Sequence, residues 1–168
     1  MVTPVIGIIG SGSKCGKTTL IEGLLAVFKD RGLQVAVLKH GQHVDFCAQK
    51  DTGRHLTAGA KATFLVTPHG YLLQGRPEKE PSFADAVFLL TKFGQWDLIL
   101  VEGYKRAVQA KIEICLPDQD DLFLPQEEPL AYVGENLKPH LVDKIKGKRI
   151  FSPQDFVGLA DFIMTKIM

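Results

Sequence analysis

Residues 10–23 read GSGSKCGKTTLIEG, a glycine-rich run that leads into apolar, helix-forming residues. Glycines let backbone N–H groups converge on an anion, and a following helix turns its positive end toward the same point. Gly12, Ser13, Lys14, Cys15, Gly16, Lys17, Thr18 and Thr19 would cradle phosphates. Lys17 would reach the terminal phosphates, and the Thr18 hydroxyl would ligate Mg2+. One position departs from the pattern G-x-x-x-x-G-K-[ST]: Ser11 stands where its first glycine belongs. Serine tolerates many turn positions, and Gly10 or Gly12 beside it would absorb a strained angle. The plain alternative is a glycine-rich strand–helix turn with no ligand. Cys15 would need a paired base to act as a nucleophile, so a small residue tolerated in the loop is the simpler reading.

Two further stretches carry chemistry. In WDLILVEGYK (96–105) a buried apolar strand ends in Glu102. A carboxylate there can hold the water shell of Mg2+, and Gly103 lets the backbone turn close to a terminal phosphate. Asp97 lies at the other end of that strand, about 17 Å away at ~3.3 Å per residue, so it cannot serve the same ion. In LKHGQHVDFCAQKDTGRH (38–55), Lys39, His40, His43, Lys50, Arg54 and His55 gather positive or titratable groups, and Asp45 or Asp51 could touch a metal. A polar loop this long suggests recognition of a second phosphate-bearing ligand, or a switch. A solvated loop remains the alternative. A zinc site from His40, His43, Cys47 and His55 is conceivable, but the spacing matches no standard site.

These groups need a frame. The apolar run 4–10 predicts a buried strand, 17–31 a helix with its stop at Gly32, and 34–38 a second buried strand. Such a crossover is right-handed and sets the two strands parallel. A short helix over 51–58 follows, then a hairpin of ATFLV and GYLLQG around Thr67-Pro68-His69 that is not a tight two-residue one. Residues 83–93 read as a helix with Ala84, Val87, Phe88 and Thr91 on one side, and 97–101 as a buried strand. Lys111 to Leu116 alternates Ile112 and Ile114 with charges, as a half-exposed strand would. The acidic 117–129 segment reads as a loop, and 130–133 and 149–151 as short strands. Ser152-Pro153 reads as cap and first turn of a last helix that runs to the end of the sequence.

The 168 residues are 45% hydrophobic, which predicts one globular domain over 1–168. A net charge of +1 argues against nucleic acid or an anionic membrane as partner. No apolar run is long enough to span a bilayer, and the start MVTPVIGIIG lacks a signal peptide's basic region and cleavage site. Three scattered cysteines argue against a disulfide framework, so a reducing cytoplasm is expected.

SKCGKTTLIEGL, VAVLKHGQH, KDTGRHLTAGA, DLILVEGYK and KIEI occur in this order between residue 13 and residue 114. In this series the chain resembles the molybdopterin-guanine dinucleotide biosynthesis protein B family of small GTP-binding proteins. The resemblance implies an α/β, three-layer P-loop NTPase fold, its mostly parallel central sheet covered by helices on both faces. It implies GTP and Mg2+ as ligands, and weak GTP hydrolysis with Lys17 and Glu102 as catalytic groups. Thr18, Glu102 and Asp51 would serve the metal. Gly12 to Thr19 and Gly103 would bind the nucleotide, and Lys39, His40, His43, Arg54 and His55 would form a second surface. It also implies a homodimer that works beside the guanylyltransferase joining GMP to molybdopterin, and that handles GTP or the finished molybdopterin cofactor. Ser11 departs from the glycine or alanine usual in the family, and GQHVDFCAQ thins a cluster of histidine and aspartates. Nothing like Asn-Lys-x-Asp, the common guanine reader, is present; LAYVGEN (130–136) occupies the region expected to meet the base. From residues alone, a small-molecule kinase or ATP-dependent ligase of the same fold class is the competing reading.

Overall fold

The computed structural model describes residues 3–12, 14–44, 50–108 and 110–167. In chain order its elements begin with β1 (Val5–Gly10), α1 (Lys17–Asp30), β2 (Val35–Lys39) and α2 (Asp51–Thr57). Next come β3 (Ala62–Thr67), β4 (Gly70–Gly75), α3 (Phe83–Thr91), β5 (Leu98–Glu102) and β6 (Lys111–Ile114). The last are β7 (Ala131–Val133), α4 (Pro139–Lys144), β8 (Arg149–Phe151) and α5 (Phe156–Ile167). The chain divides into two compact units, Met1–His40 with Val87–Met168, and Gly41–Ala86.

The larger unit is built on a six-stranded sheet in the order β2-β5-β1-β6-β7-β8, every pair parallel. Parallel strands bury both faces, which explains the unbroken apolar runs of β1 and β5. On one face α1 and α5 bury Leu20, Ile21, Leu24, Phe28, Leu159 and Ile163 against Ile6, Ile8, Leu100 and Ile112. Leu24 and Phe28 are fully buried, and each such side chain contributes about 2–3 kcal/mol. On the other face Ile145, just past α4, packs with Cys115 and Tyr132. The sheet therefore carries helices on both faces, the α/β P-loop arrangement the motifs imply.

Four expectations need correction. β2, read as a buried strand, is the edge of the sheet and leaves Val37 39% exposed. All four residues of β6 are buried, so it is not a half-exposed strand. Its charges meet protein in place of water: Lys111 Nζ pairs with Glu127, and Glu113 Oε1 accepts the Phe123 N–H at 2.6 Å. The acidic 117–129 segment is thus a cover for β6. The last helix begins at Phe156, three residues after Pro153, because Asp155 supplies the cap and accepts the Gly158 N–H at 2.9 Å. α3 buries none of its residues, and Phe88 remains 62% exposed. α4, with Pro139 in its first turn, is an element not expected from the sequence.

The smaller unit holds α2 and the β3–β4 hairpin. Thr67 pairs with Gly70, so the hairpin turn is the tight two-residue Pro68-His69 and not the looser connection expected. The Thr67 hydroxyl closes it, donating to the Gly70 carbonyl at 2.9 Å and accepting the His69 N–H at 3.2 Å. Both faces of the hairpin are apolar and open: Phe64, Val66 and Leu72 are 53%, 67% and 46% exposed. Among the described residues no helix is long and apolar enough to cross a membrane.

Candidate functional site

The loop after β1 leads directly into α1, with Gly16 at the cap position and φ of 91°. Left-handed angles fall on Lys14 (φ 74°) and Gly16, not on Gly10 or Gly12. Ser11 therefore needs no strained neighbour. Gly10 matters for closeness instead: a Cβ there would lie 2.7 Å from Cys15 Sγ and 3.2 Å from the Ile114 carbonyl oxygen. The loop is wound tightly over the end of β1. Cys15 is buried in it and contacts the Gly12 carbonyl at 3.3 Å. Lys17 Nζ donates to the same carbonyl and lies 3.0 Å from Cys15 Sγ. The loop thus holds its own lysine at the point where it curls. Ser13 lies outside the described residues.

β5 lies beside β1, with Ile8 in register with Glu102, which brings Glu102 to the same edge of the sheet. Thr18 Oγ1 is 3.3 and 3.4 Å from the two Glu102 oxygens. A hydroxyl and a carboxylate are the oxygen donors Mg2+ takes alongside substrate phosphates. β2 flanks β5 on the other side, pairing Lys39 with Glu102. Lys39 Nζ is 3.4 Å from Glu102 Oε2. Glu102 therefore sits between a hydroxyl and an ammonium, with its side chain only 13% exposed.

The next residues fix that corner. The His40 N–H donates to the Glu102 carbonyl at 2.8 Å. Gly103 has φ of 97°, and a Cβ there would lie 2.8 Å from His40 Cβ. Only glycine satisfies both the angle and the contact. The His40 ring lies 4.5 Å from that of Tyr104, centroid to centroid. Asp97 is at the far end of β5 and accepts the Gln34 N–H at 2.7 Å, as its position in the strand requires.

One edge of the larger unit thus gathers Lys17, Thr18, Glu102, Gly103, Lys39 and His40. His43, Asp51, Arg54 and His55 belong to the smaller unit, where Arg54 Nη1 lies 3.7 Å from Asp51 Oδ1 on the exposed side of α2. Asp45 and Cys47 lie outside the described residues. Among the described residues no group of three or more His, Cys, Asp or Glu side chains is placed to hold a metal ion.

A second feature of this edge is a cavity of about 260 Å³ that runs from Cys15, Gly16 and Thr19 across the ends of β6 and β7 to Glu135, Gln154 and Phe156. The sequence pointed to 130–136 for base contacts. Nothing in it marked Gln154 or Phe156, which reach the cavity only because β8 lies beside β7.

The family model described as molybdopterin guanine dinucleotide synthesis protein B matches residues 5–134. The chain belongs to this family. A Haemophilus influenzae relative, a molybdopterin-guanine dinucleotide biosynthesis adapter protein, is 36% identical over 162 residues, 85% of this chain and 88% of its own. A Bacillus subtilis relative, described as a probable adapter of the same biosynthesis, is 29% identical over 98% of this chain and 93% of its own. The crystal structure of Bacillus subtilis MobB superposes with a TM-score of 0.71 at 25% identity, covering 98% of each chain. The MobB family's fold is therefore the one described above, and the residues that carry the resemblance in the sequence lie within the matched span.

Proposed function

We propose that the chain is a GTP-binding adapter in the synthesis of molybdopterin guanine dinucleotide, with slow, Mg2+-dependent GTP hydrolysis. The observation that carries this reading is the meeting of Thr18 and Glu102 beside the Lys17 loop, in a chain of this family. The loop N–H groups and the first turn of α1 would receive the phosphates, with Lys17 turning from the Gly12 carbonyl to the terminal ones. Thr18 and Glu102 would hold Mg2+, which when bound neutralises charge on the phosphate oxygens. Gly103 lets the backbone pass close to the same place.

Slow turnover follows from the residues near the phosphates. Among the described residues, none of the contacts above fixes an arginine or a glutamine beside Lys17, Thr18 or Glu102, and such groups accelerate hydrolysis by roughly 10³–10⁵-fold. The guanine preference is supported by the relatives' product, which contains guanine. Their adapter role supports the guanylyltransferase of that synthesis as partner. A homodimer is supported by the hairpin, whose apolar faces gain by being covered. Titration of the folded protein with GTP and Mg2+ tests the reading. Saturable binding together with capture of the guanylyltransferase is expected; no binding of GTP by the folded protein would sink it.

A further inference from the structure

Resting on the nucleotide reading above, we infer that the cavity beside the phosphate loop is a guanine slot and that Glu135 is the residue that selects guanine over adenine. The position comes first. The cavity opens from Cys15, Gly16 and Thr19, so a nucleotide whose phosphates lie on the loop has its base within reach of it. It also lies at the carboxyl ends of β1 and β6, where chain connections leave the sheet in opposite directions and open α/β folds bind ligands. Its volume of about 260 Å³ lies just below the roughly 300 Å³ at which ligand pockets commonly begin, so it suits one base and not a second nucleotide.

The walls are built by close approach. Gly23 leaves room for the Phe156 ring against α1: a Cβ there would lie 2.4 Å from Phe156 Cδ1. That ring, with Leu116, Pro117 and Val133, gives the slot its apolar lining. Next to Glu135, Gly134 packs so tightly on the residue after β6 that a Cβ would lie 2.8 Å from the Cys115 carbonyl oxygen. The Gly134 N–H also donates to the Phe151 carbonyl at 2.9 Å, which ties the turn to β8. Asn136 then reverses the chain with φ of 52°. Glu135 is thereby presented at the mouth on a turn fixed from both sides.

The chemistry of the two polar groups decides the base. A carboxylate only accepts hydrogen bonds, and guanine offers N1–H and the N2 amine side by side along one edge. Adenine presents an unprotonated N1 there, an acceptor facing an acceptor. Gln154 is the second group. Its Oε1 accepts the Ser152 hydroxyl at 2.9 Å, which orients its Nε2–H2 as a donor for guanine O6. Adenine places an amine at that position. Both groups therefore reject adenine and accept guanine, in a slot whose other lining is mostly apolar, with Thr19 at the phosphate-loop end.

The test is a set of equilibrium titrations of GTP, ITP, XTP and ATP, each with Mg2+, against the wild-type chain, E135A, E135Q and Q154A. Wild type is expected to prefer GTP over ATP by at least ~10-fold, with ITP weakened by the missing N2 amine. E135A should lose most of the preference for GTP over ITP while keeping its melting temperature, since Glu135 is exposed. E135Q should shift preference toward XTP, whose C2 carbonyl accepts from the new amide. Q154A should weaken GTP and XTP alike. An unchanged GTP-to-ITP ratio in E135A, or a wild type that binds GTP and ATP equally, overturns the assignment of Glu135. Failure of wild type to bind any of the four triphosphates overturns the nucleotide reading itself, and the inference with it.

Discussion

The corner around Glu102 and the β3–β4 hairpin are opposite solutions to placing side chains. At the corner, each candidate group is held by something it touches: Thr18 and Lys39 by Glu102, Lys17 by the loop carbonyl, Gly103 by His40. The hairpin closes its own turn through Thr67, and Phe64, Val66, Tyr71 and Leu72 are all exposed on it. Polar groups preorganised around a carboxylate suit a small charged ligand. An open apolar ribbon suits a macromolecular face. On the function proposed, the corner would hold the nucleotide and the hairpin would meet a partner.

Substitutions break that contrast in order of size. Lys17→Ala should weaken GTP binding by at least ~100-fold, because it removes the charge-assisted contacts to the terminal phosphates. Its melting temperature should hardly change, since the Lys17 contacts among the described residues lie within its own loop; calorimetric titration and a thermal melt check both. Gly103→Ala should destabilise the larger unit by about 1–3 kcal/mol through its backbone angle, and more through the His40 contact, as denaturant unfolding would show. Glu102→Gln should cost roughly 10-fold in the strengthening of GTP binding by Mg2+, with metal-free binding little changed, measured with and without chelator. Changing Phe64 and Leu72 together to serine should convert a dimer to a monomer in sedimentation and leave GTP affinity within twofold. A loss of GTP affinity from that change would contradict the separation of roles.

The smallest expected effect concerns Glu113, a carboxylate fully buried under the acidic segment, with one oxygen unpaired among the described residues. Burial raises its carboxyl above the usual range, against the pull of its backbone hydrogen bond from Phe123. The folded state therefore favours the protonated form. Its contribution is most favourable below the ordinary carboxylate range and is lost as pH rises through the raised value. Glu113→Gln keeps an acceptor for Phe123 and removes the buried charge. It should stabilise the protein by about 1 kcal/mol at pH 7–8, and the gain should vanish near pH 4. Thermal melts across that range would check it. Beside it, burial and the Glu113 carboxylate push the Cys115 thiol up to about 12, so Cys115 should stay inert to alkylation at neutral pH.

Much of the fold was legible because parallel strands write themselves as continuous apolar runs, as in VIGIIG and LILVE. The phosphate loop and Glu102 were legible for a related reason: backbone demands at the end of a strand restrict residue type. What stayed hidden depends on long-range contacts. Lys111 and Glu113 looked like solvent-facing charges, and only the fold of 117–129 over β6 shows them buried. Phe156 and Gln154 looked like parts of a terminal helix, and they reach the cavity through the β7–β8 pairing. Asp155 as the true cap was masked by the stronger signal of Ser152-Pro153. The hairpin turn was misread because Pro68-His69 lacks the Asn-Gly or Gly-containing signal of tight turns, and the Thr67 hydroxyl closes it instead.

The most direct test of the central claim is a crystal structure of the protein with Mg2+ and a non-hydrolysable GTP analogue. The phosphates are expected on the Gly12–Thr19 loop, with Lys17 turned toward the terminal phosphate and the metal held by Thr18 and Glu102. A nucleotide bound elsewhere, or a loop whose Lys17 still points into the Gly12 carbonyl with the analogue present, would contradict it.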